Sequence, residues 1–147
     1  MSKQDAVAAT VTGQDQQVGF RAAVMKQAIE YNLAGWARND AGEIVRFVLQ
    51  GDKHRIDAAI ATLQQGTKRS TDIQIATTAA DIDPALTGFT IADWTSSSRS
   101  ITTPYTLVYP LRADDTAIST ADAKAAWRQI LESSLDAEDL KKLQPGD

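Results

Sequence analysis

Between Gly13 and Arg21 the chain reads GQDQQVGFR. A glycine-bounded turn that hands over to a helix gathers backbone N–H groups with no carbonyl to bond, because the first turn of a helix leaves its amides unpaired. Those amides, the positive end of the helix dipole behind them and the forked guanidinium of Arg21 together favour an anion, a phosphate above all. A plain connection between a strand and a helix, ending in a solvated arginine, carries the same local signature. The stretch acquires meaning only from a second element placed to work with it.

Few other side chains offer chemistry. The 147 residues include no cysteine, which removes disulfides, thiolate zinc sites and thiol nucleophiles together. His54 is the single histidine, so a histidine-rich metal site is out, and no Ser or Asp pattern joins it into a triad; it reads as solvated surface. No HExxH, P-loop or dinucleotide pattern occurs. Asp81 and Asp83 beside Pro84, and Asp114 with Asp115, read as turn formers rather than metal ligands, and no metal is expected. The net charge of -4 argues against nonspecific affinity for nucleic acid or acidic membranes, and Lys68 with Arg69 is too small a basic patch to reverse that. No apolar run is long enough to span a bilayer and the start, MSKQDAVAATVTG, lacks a signal-peptide core, so a cytoplasmic protein is expected.

The elements that must carry the loop follow from periodicity. Val7, Thr10, Val11 and Thr12 suggest a strand over about residues 6 to 12, which Gly13 ends. From Phe20 to Tyr31 the row Phe20, Val24, Ala28 with Met25 and Ile29 beside it has helical spacing. GWARND from Gly35 and EIVRFVLQ read as a hairpin about Asp40-Ala41-Gly42. Asp52 precedes KHRIDAAIATLQQ, whose Ile56, Ala59, Ile60 and Leu63 predict a second helix stopping at Gly66. Residues 70 to 79 alternate around Ile73 and Ile75, and GFTIADW at 88 to 94 forms a short final strand. The expected fold is α+β, a ferredoxin-like βαββαβ sandwich with an antiparallel sheet and two helices on one face, with Trp36 a sheet or core aromatic.

The loop and the hairpin together resemble the acylphosphatase family. The family's first motif runs Gly, any, Val, Gln, Gly, Val, any, Phe, Arg; here Gly13, Gln16, Val18, Phe20 and Arg21 stand in register, with Asp15 and Gln17 in place of the valine and the glycine. The second is matched by Gly35, Trp36, Ala37, Arg38, Asn39, Val45 and Gly51 without a gap, with Glu43 at a glycine position and Gly42 beside it. The resemblance covers roughly residues 5 to 94. It implies hydrolysis of carboxyl-phosphate anhydrides to a carboxylate and phosphate, without metal or cofactor. By position it implies that Arg21 binds the phosphoryl group, that Asn39 orients the attacking water, and that the backbone of Asp15, Gln16, Gln17, Val18, Gly19 and Phe20 cradles the phosphate oxygens. The expected ligand is a small acyl phosphate or similar anion.

An alternative is a noncatalytic acylphosphatase-like module that binds an anion or a protein, since a carboxylate at Asp15 opposes an anion and Gln17 is strained wherever the loop needs positive φ. A third reading, a domain serving a carbamoyl-transfer assembly, lacks the zinc-binding and transferase regions such proteins carry. Residues 1–94 are read as the acylphosphatase-like domain and 95–147 as a C-terminal extension that the ordinary family domain lacks. In the extension, TSSSRSITTP at 95 to 104 is a connector and residues 101 to 111 a strand, interrupted by Pro104 and ended by Pro110, suited to a sheet edge. Ser119 and Asp122 have capping-box spacing before the stripe Ala123, Ala126, Trp127, Ile130 and Leu131, and Asp136 to Leu143 adds a short helical segment. The stripe needs a partner, in the main domain or in another protein.

Overall fold

The alternation in AVAATV gives β1 (Gln4–Thr12), whose Ala9 and Val11 are buried on one face. In the computed structural model, which describes residues 4–13, 19–40, 44–65, 73–96, 98–144 and 147, the chain then runs through α1 (Phe20–Tyr31), β2 (Ala34–Asp40), β3 (Ile44–Asp52), α2 (Lys53–Gln64), β4 (Gln74–Ala79), β5 (Gly88–Trp94), β6 (Tyr105–Pro110), α3 (Thr120–Ser134) and the short α4 (Ala137–Leu140). The expected stop at Gly66, the pair Lys68 and Arg69, the first residues of the 70-to-79 segment and the hairpin turn about Gly42 and Glu43 lie outside the described residues.

The strands form one sheet in the order β4-β1-β3-β2-β5-β6. Its pairs are antiparallel except β2 with β5, which are parallel, so the ferredoxin-like sheet is mixed rather than wholly antiparallel. Side chains directly opposite in adjacent strands share a face, and one row, Ala9, Phe47, Ala37, Ile91 and Leu107, is buried across five strands. The helices cover that face: α2 lies on β1 and β3, α1 on β2, β3 and β5, and α3 on β6 and against the flank of α1. Trp36 falls on the opposite face, half-buried, with the Arg38 guanidinium 4.9 Å from its ring centroid.

Two positions show why this backbone needs its residues. Gly35 has φ +143°, and a Cβ there would stand 1.8 Å from the Val48 carbonyl oxygen, so only glycine lets β2 close on β3. Asn32 ends α1 with φ 55°, a left-handed cap, and its N–H reaches the Ala28 carbonyl. Its buried side chain accepts from the Tyr109 hydroxyl at 2.6 Å and the Arg112 N–H at 2.8 Å, which ties β6 and the segment after it to the end of α1. Among the described residues no helix is long and apolar enough to cross a membrane.

Candidate functional site

Helix α1 starts without a side-chain cap. Its N-cap is Gly19, at φ 77° in the left-handed region, and no acidic residue occupies the first turn. The opening amides of α1 therefore have neither a capping oxygen nor a carboxylate to neutralise the dipole among the described residues. Phe20 anchors this end: it is buried, with its ring centroid 6.5 Å from that of Phe47 in the central core row.

Arg21, one residue on, turns toward the sheet. Its Nη1 donates to the backbone carbonyls of Ala92 at 3.1 Å and Asp93 at 2.9 Å, at the end of β5. Its Nη2 and Nε make no hydrogen bond among the described residues, so the guanidinium is held by one nitrogen and has donors left over. Burial lowers the Arg21 pKa from its ordinary value and the nearby Asp93 carboxylate pulls it back up; an arginine remains charged at neutral pH throughout.

Asn39 stands in β2 opposite Val45, itself opposite Val11 in β1, which puts Asn39 on the helix-covered face one step beyond the Ala37 row. The parallel pairing Ala37 with Ile91 places Asn39 and Asp93 two residues further along neighbouring strands. Asn39 is exposed and no side-chain hydrogen bond occupies its amide among the described residues. The uncapped start of α1, the Arg21 guanidinium and Asn39 thus lie toward the same end of one sheet face. Such a group can hold a tetrahedral anion by charge and N–H donors while an amide, both donor and acceptor, faces it. Asp15, Gln16, Gln17 and Val18 lie outside the described residues, so of the expected cradle only Gly19 and Phe20 are placed.

The remaining candidates are dispersed. His54 is exposed on α2, Asp83 caps its own turn by accepting from the Ala85 N–H at 2.9 Å, and Asp115 is paired with Arg55 at 2.8 Å. No group of three potential metal ligands occurs among the described residues. What sequence reasoning missed is the seat of Arg21. Its acceptors are main-chain oxygens, which no side-chain pattern marks, and only Asp93, of a residue type that tolerates positive φ, hints at it.

The chain is similar to known proteins. The family model described as Acylphosphatase matches residues 7–91. The chain is 41% identical over 68 residues to the acylphosphatase of Colwellia psychrerythraea, covering 45% of this chain and 76% of that one. It is 35% identical over 81 residues to that of Chlorobaculum tepidum, covering 55% and 88%. Among solved structures, an acylphosphatase from Coxiella burnetii superposes with a TM-score of 0.53 at 26% identity, over 60% of this chain and 92% of that one.

Proposed function

The chain belongs to the acylphosphatase family, and we propose that it hydrolyses a small acyl phosphate at the junction of α1, β2 and β5, with Arg21 holding the phosphoryl group and Asn39 orienting water. The observation that supports this most is the half-engaged guanidinium: Nη1 is fixed on the Ala92 and Asp93 carbonyls, and Nη2 with Nε are left to bind two phosphoryl oxygens side by side. The opening amides of α1, next to Gly19 and Phe20, supply further donors, and the helix dipole favours the same charge.

The chemistry asks little of side chains. An acyl phosphate carries a carboxylate leaving group, so neither a nucleophilic residue nor a strong base is needed. Water held by the Asn39 amide attacks phosphorus, the bond from phosphorus to the acyl oxygen breaks, the carboxylate departs, and the water's proton passes to a phosphoryl oxygen. Fixed donors aimed at the phosphoryl oxygens stabilise charge as it shifts, each worth about 3 kcal/mol in a water-poor site. Holding water and phosphorus in line adds the advantage of orientation. The substrate's acyl part meets no specific demand in this reading, which rests on the phosphate end.

The test is hydrolysis of benzoyl phosphate, followed by loss of its ultraviolet absorbance. The wild type turns it over and Arg21→Ala lowers kcat/KM by about a thousandfold. A folded wild type that binds inorganic phosphate without turnover would instead establish the noncatalytic reading, which Asp15 and Gln17 favour by standing where the family motif has valine and glycine.

A further inference from the structure

β5 does not run straight to its end. Ile91 pairs with Leu107 and Trp94 with Tyr105, so Ala92 and Asp93 together face the single residue Thr106 of β6, and Asp93 takes φ 58°. This is a β-bulge, a device that bends a strand and re-aims its carbonyls. The two carbonyls that receive Arg21 Nη1 belong to these two bulged residues.

The bulge is held from both sides by residues 95–147. β6 supplies the antiparallel partner against which the extra residue is set. Trp94, next in the chain, packs edge-on against Trp127 of α3 with ring centroids 6.1 Å apart. Trp127 Nε1 donates to the Asp147 carbonyl at 2.8 Å, and the Asp147 carboxylate accepts from the Ser98 N–H at 3.1 Å and the Ser98 hydroxyl at 2.8 Å. Ser96 is buried, and its Oγ accepts from the Ile101 N–H at 2.8 Å, closing the turn that follows β5.

We infer that the bulge at Ala92 and Asp93, locked by β6 and by the Trp127–Asp147–Ser98 clasp, is a positioning device for Arg21, so that the C-terminal extension completes the phosphoryl-binding site. This rests on the role proposed above for Arg21. The positioning group is the backbone of Asp93 in its left-handed conformation, and the side chain matters by permitting that conformation. Glycine and asparagine adopt positive φ readily, whereas valine, branched at Cβ, does not.

Three variants separate backbone from carboxylate. Asp93→Gly and Asp93→Asn stay within about threefold of the wild type, while Asp93→Val raises the KM for benzoyl phosphate and the inhibition constant of inorganic phosphate about tenfold, with a smaller change in kcat. Thermal unfolding shows which variants are folded. If Asp93→Val fails to fold, Asp93→Ala, which also disfavours positive φ, carries the same expectation in smaller degree. A folded Asp93→Val with wild-type KM and phosphate inhibition overturns the inference, as does an equal loss in Asp93→Gly and Asp93→Asn, which would make the carboxylate the operative group. Should the wild type not hydrolyse benzoyl phosphate, it is the proposed function that fails. The same ranking is then read from inorganic phosphate binding by calorimetry, and equal affinities in all the variants overturn the inference.

Discussion

At Arg21 and Asn39 two polar side chains sit at the same end of the sheet, one half-buried and anchored to carbonyls, the other exposed. Another polar pair, Tyr105 and Asp139, gives a pH prediction. The Tyr105 hydroxyl donates to the Asp139 carboxylate, which pushes the phenol up to about 12; that bond, with help from Lys142, holds Asp139 below its ordinary value. The phenol's contribution to stability is complete below its unfolded value of about 10 and is lost as pH rises toward 12. The carboxylate's is complete above its unfolded value of about 3.9 and is lost as pH falls through the lower folded one. Tyr105→Phe is therefore less stable than the wild type at neutral pH, by a margin that narrows in strong acid and in strong base, as read from urea unfolding across pH. A margin independent of pH would mean that the two groups are not coupled.

The helices were legible element by element because their signals are local. Asp52 accepts from the Arg55 N–H at 3.1 Å and caps α2, and Ser119 accepts from the Asp122 N–H at 3.0 Å and caps α3, both at the positions their spacing indicates. Asp52→Ala costs about 1 kcal/mol in urea unfolding, the ordinary worth of such a cap, and a loss below a few tenths would show α2 to be held by packing alone. The strands were legible as strands but not as partners. Alternation has the same period in parallel and antiparallel pairing, so the parallel contact of β2 with β5 could not be read from it. The bulge was beyond reach for a related reason: one extra residue against β6 is a matter of register between distant segments, and Ala92 and Asp93 carry no pattern of their own. Arg21 and Asn39, by contrast, stand in contiguous motifs, so their resemblance to the family pattern was visible in the sequence.

Across the whole molecule the extension shares the core of the rest. Leu107, Tyr109, Ala123, Trp127 and Leu131 are buried in the same cluster as Phe47 and Phe89, and the apolar stripe of α3 finds its partner on α1 and β6. Trp127→Ala then costs about 3–5 kcal/mol, the range for emptying a buried aromatic site, and lowers the midpoint of thermal unfolding in a single transition. A change below 1 kcal/mol would show the extension to be an appendage that the main body does not need. The molecule so described is an acylphosphatase-type enzyme whose sheet carries β6 beyond β5, with the uncapped start of α1 near that junction. The roles proposed for Asn39, orienting water toward phosphorus, and for Arg21, holding the phosphate, are separated by the turnover number for benzoyl phosphate in the wild type and in Asn39→Ala, measured side by side. With water held by Asn39, kcat falls about a hundredfold in Asn39→Ala while KM changes little; an Asn39→Ala enzyme that turns over as fast as the wild type overturns the role proposed for this residue.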